Sequence, residues 1–356
     1  MIPFTTACAR NTARVITAAG ALALALVTMG TSPDAAAVAV RVGTTNSSSD
    51  APLFIAAAKG YFKSEGLEVE FTSFDSAAKM IAPLGTGQLD VGAGSPAAGF
   101  YNAVGRGLDV RMVADKGSMP AGYGYLTLMV RKDLVDSGKV KGIGDLKGAK
   151  VALPAQGTTT DSTLNEALKK GGLKWSDVEV VYMGFPQHVI ALQNKAIEAS
   201  VTTEPSVTRA EQQGAAVRYM PGDVAYPNQQ VAVILFGGNF IKDQPETGRK
   251  FMKAYIRAVR DYNDALKGGK LAGPNAQEII KILTEYTNIK DPKVYAAITP
   301  NGVNPDGKVN EVSLRKDLDF FRERNLIDGN VRVEQVIDSS FVDAALKELG
   351  PYKPKP

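Results

Sequence analysis

From Val38 onward, short apolar runs alternate with stretches whose apolar positions recur every three to four residues. That alternation predicts an α/β architecture with largely parallel strands. Strands are expected over 38–43, 67–71, 89–94 and 109–114, with helices over 51–62, 76–84 and 96–104 between them. Ser95-Pro96 has the chemistry of an N-cap followed by proline at the first helical position, and Gly105 supplies that helix's stop.

A second unit repeats this order after Leu146-Lys147-Gly148. Strands are expected over 150–153, 178–183, 199–202 and 216–220, and helices over 161–170, 188–194 and 206–213. The units rhyme locally: Leu89-Asp90 leads to Pro96 and Gly105, and Ile197-Glu198 leads to Pro205 and Gly214. Two further apolar stretches, 125–130 and 231–236, bracket the second unit and read as an outward and a returning crossing between lobes. Beyond them, residues 246–266 place Phe251, Tyr255, Val259, Tyr262 and Leu266 on one helical face. Arg249, Lys253, Arg257 and Arg260 lie largely on another, read as solvated. The tail 351–356, with three prolines and two lysines, is expected to fray.

The N-terminus breaks the pattern. Arg10 and Arg14 precede an apolar run over 15–29, and the small residues Ala35, Ala36 and Ala37 follow Asp34, which is the order of parts in a cleavable secretory signal. The run is shorter than the ~20 residues a membrane-spanning helix needs. Residues 1–37 are therefore expected to be removed and the protein to be periplasmic. Cys8 precedes the apolar run, so it is not placed as a lipid acceptor, and cleavage would leave no cysteine. The remaining 356 − 37 = 319 residues suffice for roughly two domains that rest on their cores without disulfides. Removing Arg10, Arg14 and Asp34 takes the basic count from 41 to 39 and the acidic count from 37 to 36, a net charge of +3. Charges are scattered, without the clustered footprint of a nucleic-acid binder, so that partner is excluded.

Several segments carry a family likeness. Residues 52–70 run from an apolar helix through Gly60-Tyr61-Phe62 to Glu65-Gly66-Leu67 and a strand. Gly87-Gln88-Leu89-Asp90-Val91-Gly92, Asp145-Leu146-Lys147-Gly148-Ala149-Lys150-Val151-Ala152, Gly157-Thr158-Thr159-Thr160 and Glu204-Pro205 follow in order. The series resembles the nitrate/sulfonate/taurine-type ABC transporter substrate-binding proteins over residues 38–266. The resemblance implies a type II periplasmic-binding-protein fold, two α/β lobes with a ligand cleft and two inter-lobe crossings. The boundaries that follow are 38–125 for the first part of lobe 1, 126–230 for lobe 2, and 231–350 for the return to lobe 1 and the C-terminal helices. It also implies delivery of a solute to a membrane permease driven by a cytoplasmic ATPase. A monomer is expected, with no cofactor.

In open α/β sheets, ligands sit beyond the carboxyl ends of strands. In the first lobe that rule nominates Asn46, Ser47, Ser48 and Asp50 in the loop 44–50, Ser95, and Ser118 in the loop 116–119. In the second lobe it nominates Thr158, Thr159 and Thr160 in the loop 156–162, Phe185 in the loop 184–186, and Glu204 in the loop 203–204. The threonine run has the most physical content, because amide groups at a helix start together with three hydroxyls favour an anion. Asp161 in the same turn works against it, and Thr159 or Thr160 reads equally as an ordinary N-cap. The loop 44–50 also reads as a flexible polar connection, and Ser95 as a cap of its own helix. Glu204 reads either as a cleft acid or as half of an internal ion pair with a residue such as Arg209. The resemblance places an aromatic before that acid, where this chain has Thr203. Phe185, Tyr123 and Tyr226 lie near loop mouths, either flanking a ligand body or belonging to the core. Together these features favour a small organic anion, sulfonate or carboxylate, as the solute.

Enzyme chemistry has little to draw on. His188 is the only histidine, expected at a helix start, and no thiol would survive cleavage. This removes His-based triads, cysteine nucleophiles and the usual His/Cys zinc sites. No Gly-x-x-x-x-Gly-Lys-Ser/Thr loop occurs. A binding protein is expected rather than an enzyme, with no metal, and a sensory role beside transport stays open.

Overall fold

The computed structural model describes residues 37–45 and 47–355, so all but the last residue of the expected signal segment, and Asn46, lie outside the described residues. Nine strands precede the return crossing: β1 (Val38–Thr44), β2 (Leu67–Ser73), β3 (Val91–Gly94), β4 (Arg111–Ser118), β5 (Leu126–Arg131), β6 (Lys150–Leu153), β7 (Glu179–Tyr182), β8 (Ala199–Thr203) and β9 (Ala216–Pro221). The return is β10 (Gln230–Phe236). The strands form two five-stranded sheets, ordered β2-β1-β3-β10-β4 and β7-β6-β8-β5-β9. In the first, β1 runs parallel to β2 and β3, and β10 antiparallel to β3 and β4. In the second, β6 runs parallel to β7 and β8, and β5 antiparallel to β8 and β9. Each crossing strand thus enters the sheet of the lobe it reaches, one place in from the edge. This is the two-lobed type II arrangement.

The rhyme between the units has a physical basis. β3 pairs with β1 only over Val42 and Gly43, and β8 with β6 only over Val151 and Ala152. The amide one residue earlier in each first strand therefore lacks a ladder partner on that side. Asp90 Oδ2 accepts from the Arg41 amide at 2.8 Å, and Glu198 Oε2 from the Lys150 amide at 2.9 Å. An acid just before the third strand satisfies a partly buried strand amide in both lobes.

Apolar side chains alternate faces along the crossing strands, as a period of two requires. Ile234 and Phe236 join one core cluster, and Val233 and Leu235 the cluster on the opposite face. In the second lobe Leu128 and Val130 face one cluster and Met129 the other. The helix Pro245–Asp264 lays Phe251, Tyr255, Val259 and Tyr262 into the first cluster.

Some expected elements shift. The helix expected over 51–62 is two helices, Ala51–Ala58 and Tyr61–Ser64, because Gly60 between them takes φ 67°. The helix expected from Pro96 begins at Ala98, with Ala97 as its N-cap. The basic face of Pro245–Asp264 is paired within the protein: Lys253 meets Glu65 and Glu348, Arg260 meets Asp306, and Arg257 lies over the Tyr61 ring at 4.0 Å. The tail is held where fraying was expected. Tyr352 donates to Asp264 Oδ1 at 2.7 Å and the Lys355 ammonium to Asp261 Oδ1 at 2.9 Å, so the tail compensates two buried acids of that helix.

A later helix, Glu311–Glu323, packs Leu314, Leu318 and Phe321 into the first lobe and touches the second. Lys316 pairs with Glu166 at 2.7 Å, and Phe320 meets Trp175 with ring centres 5.9 Å apart. The C-terminal segment therefore straps the lobes together on the crossing side.

Candidate functional site

The carboxyl ends of β1 and β3 from the first sheet face those of β6 and β8 from the second. Between them lies a cavity of about 40 Å³, lined by loops of both lobes. The first lobe contributes Ser47, Ser49 and Ser95, and the second contributes Thr158, Thr159 and Thr160. Room for roughly three waters remains at ~10–15 Å³ each.

Direct contacts hold the lobes together around this cavity. Ser47 Oγ lies 3.2 Å from Thr203 Oγ1, and the Ser48 amide donates to the Glu204 carbonyl at 2.9 Å. On the other side the Ala98 amide donates to the Gly157 carbonyl at 2.7 Å. Ser95 Oγ accepts from the Thr159 amide at 3.0 Å and lies 3.1 Å from Thr159 Oγ1. The Ser95 hydroxyl, read from sequence as a cap of its own helix, thus serves the first turn of the facing lobe's helix, Thr159–Lys170. The N-cap residue of that helix, Thr158, makes no side-chain capping bond. Its hydroxyl instead meets Thr160 Oγ1 at 2.7 Å and the Ala155 carbonyl at 3.1 Å.

Asp161 follows in the first turn of that helix. Burial pushes its carboxyl up to about 7, while Oδ2 accepts from the Gly157 amide at 2.9 Å. Its negative charge at the helix start is therefore weakened near neutrality, which lessens the expected conflict with an anion.

The remaining nominated residues divide by what holds them. Phe185 lines the cavity and meets His188 edge-on, with ring centres 5.6 Å apart. Asp50 is turned away from the cavity: its carboxylate pairs with Lys116 at 2.7 Å, both side chains fully buried, and accepts from the Ser47 amide at 3.0 Å. Ser48 stands on the outer side of the Ser47 turn, against a neighbouring cavity. Ser118 faces a separate groove beside Asp115 and is not brought to the cleft. Glu204 is structural, pairing with Arg218 at 2.7 Å and accepting from the Thr208 and Thr299 amides at 3.0 Å each. Arg218, not Arg209, is its partner, because β9 lies next to β5 and carries Arg218 toward the exit of β8. Tyr123 lines the groove with Ser118, and Tyr226 is buried. His188 is fully buried, its Nε2 2.9 Å from the Met183 carbonyl, and burial lowers its pKa to about 4.

Sequence reasoning missed Ser76 and Tyr125 as cavity-lining residues, whereas Ser49 and Thr203 fall within the loops 44–50 and 203–204 that the strand-end rule nominates. Ser76 escaped because β2 runs to Ser73, two residues beyond its expected end, which puts the strand exit at Ser76. Lys116 does not line the cavity, yet it donates to Ser49 Oγ at 2.9 Å, and Ser49 donates on to Ser47 Oγ at 3.1 Å. A buried cation therefore orients a chain of hydroxyls that ends on the opposite lobe.

Two matching sheets joined by two crossings around a hydroxyl-lined cleft define a two-lobed binding-protein fold. The chain belongs to the NMT1/THI5-like family, whose model matches residues 47–265. It spans about three-fifths of the length of putative binding proteins from Brucella abortus, to which it is 27% identical over 218 residues, 59% of this chain and 62% of theirs. A putative ABC transporter periplasmic binding protein of Brachyspira hyodysenteriae is 28% identical over 307 residues, 79% of this chain and 82% of that protein. The taurine-binding periplasmic protein of Escherichia coli K12 is 28% identical over 230 residues, 64% of this chain and 68% of that one. Among solved structures, the nitrate-binding protein NrtA of Synechocystis PCC 6803 matches with a TM-score of 0.74 at 16% identity, over 88% of this chain and 89% of that one.

Proposed function

We propose that this protein is the extracytoplasmic solute-binding component of an ABC import system. It captures a small organic anion, sulfonate or carboxylate, in the cleft and hands it to a membrane permease. The observation that carries this reading is the cavity itself: hydroxyls from both lobes converge on the first turn of the helix Thr159–Lys170, and among the described residues no charged side chain lines the space. Hydroxyls and amides at a helix start recognise an anion without a counter-charge. Closing on the solute from both sides makes binding and closure one event, the signal a permease needs. The taurine-binding and ABC-transporter relatives support the same class of solute and task. The reading is of a binder and not an enzyme, since the single histidine is buried and held neutral beside Met183.

The test is a thermal-shift screen of protein refolded from denaturant, so that carried-over ligand is removed, against alkanesulfonates, taurine, aliphatic and aromatic carboxylates and nitrate. A ligand at 100 times its dissociation constant adds about 2.7 kcal/mol of stability. A sulfonate or carboxylate that binds the parent and loses affinity in Ser95→Ala and Thr159→Val is expected. Equal binding by these variants would refute the assignment of the cavity. Loss of uptake on deletion of the gene, with signalling intact, separates transport from sensing.

A further inference from the structure

Beyond the contact between Ser47 and Thr203 the cleft opens again, into a second cavity of about 170 Å³. Three pieces of chain line both spaces in turn: the Ser47 turn, the helix start at Phe185 and Pro186, and the exit of β8 from Thr203 to Pro205. The outer space is therefore the continuation of the inner one, divided from it by a pair of hydroxyls. Its wall includes Arg209, with Thr287 and Tyr295 across from the C-terminal segment.

Arg209 differs from the cations around it. It is half-buried, yet its guanidinium has no hydrogen bond or ion pair among the described residues. The two acids nearest to it in sequence, Glu211 and Glu204, are both taken by Arg218, at 2.6 Å and 2.7 Å. A partly desolvated guanidinium without a counter-ion is unfavourable, and its planar fork matches a carboxylate or sulfonate. The inner cavity, by contrast, has no charged lining residue among the described residues with which to count the charges on a solute.

We propose that Arg209 forms a second anion subsite, holding the far acidic group of a solute with two anionic ends. The first end lies among the inner hydroxyls, and the body passes between Ser47, Thr203 and Phe185. This rests on the reading of the inner cavity as an anion site. It narrows the solute to disulfonates, sulfocarboxylates and dicarboxylates. It also assigns the choice of charge to a residue outside the inner cavity.

The experiment is isothermal titration of the refolded full-length mature protein with α,ω-alkanedisulfonates and the corresponding dicarboxylates of increasing chain length, each beside its monoanionic analogue. Parent, Arg209→Gln, Arg209→Lys and Ser95→Ala proteins are compared. In the parent the best dianion is expected to bind at least about tenfold more tightly than its monoanion, as one charge-assisted contact provides. Arg209→Gln should remove that advantage and leave the monoanion unchanged, and Arg209→Lys should retain part of it. Unchanged melting of the unliganded variants excludes misfolding as the cause. If monoanions bind but dianions gain nothing, or keep their gain in Arg209→Gln, the second subsite is refuted while the inner site stands. If dianions bind through Arg209 with no effect of Ser95→Ala, the inner assignment falls and the Arg209 site stands. Absence of binding by every probe overturns both.

Discussion

Ser95 of the first lobe accepts the amide proton of Thr159 in the second, at 3.0 Å. The helix that follows Thr159 is thus satisfied at its start by a hydroxyl it acquires only when the lobes meet. Ser95→Ala is expected to lower stability by about 1 kcal/mol, the usual cost of losing a capping hydroxyl. It should also loosen the closed form. Urea unfolding and small-angle scattering measure the two effects, and a variant as stable and as compact as the parent would contradict this role.

The buried pair of Lys116 and Asp50, with no exposed surface on either side chain, sits directly behind Ser49. Removing one buried partner leaves an uncompensated charge, so Lys116→Met should cost about 3–5 kcal/mol. Adding Asp50→Asn should recover part of that loss. A double-mutant cycle by denaturant unfolding provides the check, and strictly additive losses would show that the two groups are not coupled.

Glu204 and Thr203 are neighbours with opposite duties. Glu204→Gln breaks the bond to Arg218 and is expected to lower the melting temperature with little change in affinity for a validated ligand. Thr203→Val, at the cavity wall, should do the reverse. Calorimetric titration beside melting curves separates them, and an affinity loss confined to Glu204→Gln would return the acid to the binding site.

Protonation sets a further expectation. Burial raises Asp161 and Asp317 to about 7 each, and Asp115 to about 6. Between about pH 4 and pH 7 the folded state keeps protons that the unfolded chain has already released. These groups therefore make stability fall as pH rises, and their penalty is complete above pH 7. His188 acts oppositely: its folded pKa of about 4 lies below the unfolded 6.5, so its contribution is lost as pH falls through that interval. Asp317 faces Gln229 at 3.3 Å, with Lys316, Tyr226 and Ser162 nearby. Asp317→Asn should flatten the decline between pH 5 and pH 8. Urea melts at pH 5, 6.5 and 8 test it, and an unchanged slope would rule out this burial effect.

The strands were legible because their apolar runs are short, and the central strands β3, β8 and β10 are buried along their whole length. Both crossings appear within one residue of their expected limits. The loops of the cleft were legible too, since the rule that places ligands beyond strand ends depends on element order alone. What escaped was side-chain direction. Nothing in the local sequence distinguishes Ser95 as a cap of its own helix from Ser95 as a cap of one 64 residues away. Likewise the partner of Glu204 depends on which strand lies beside β5, a long-range fact. Asp50 looked like a ligand contact because Lys116, which neutralises it, is 66 positions distant and only the fold brings them together.

The position of β10 has a consequence for how the molecule is made. The second sheet uses only residues 126–221 and can close as soon as that contiguous stretch is available, whereas β4 has no sheet neighbour until β10 arrives at residues 230–236. A chain delivered from its N-terminus therefore matures in reverse of its own order. The lobe that emerges first must wait half-finished, its edge strand β4 unpaired, for the chain to return from the second lobe with the missing inner strand.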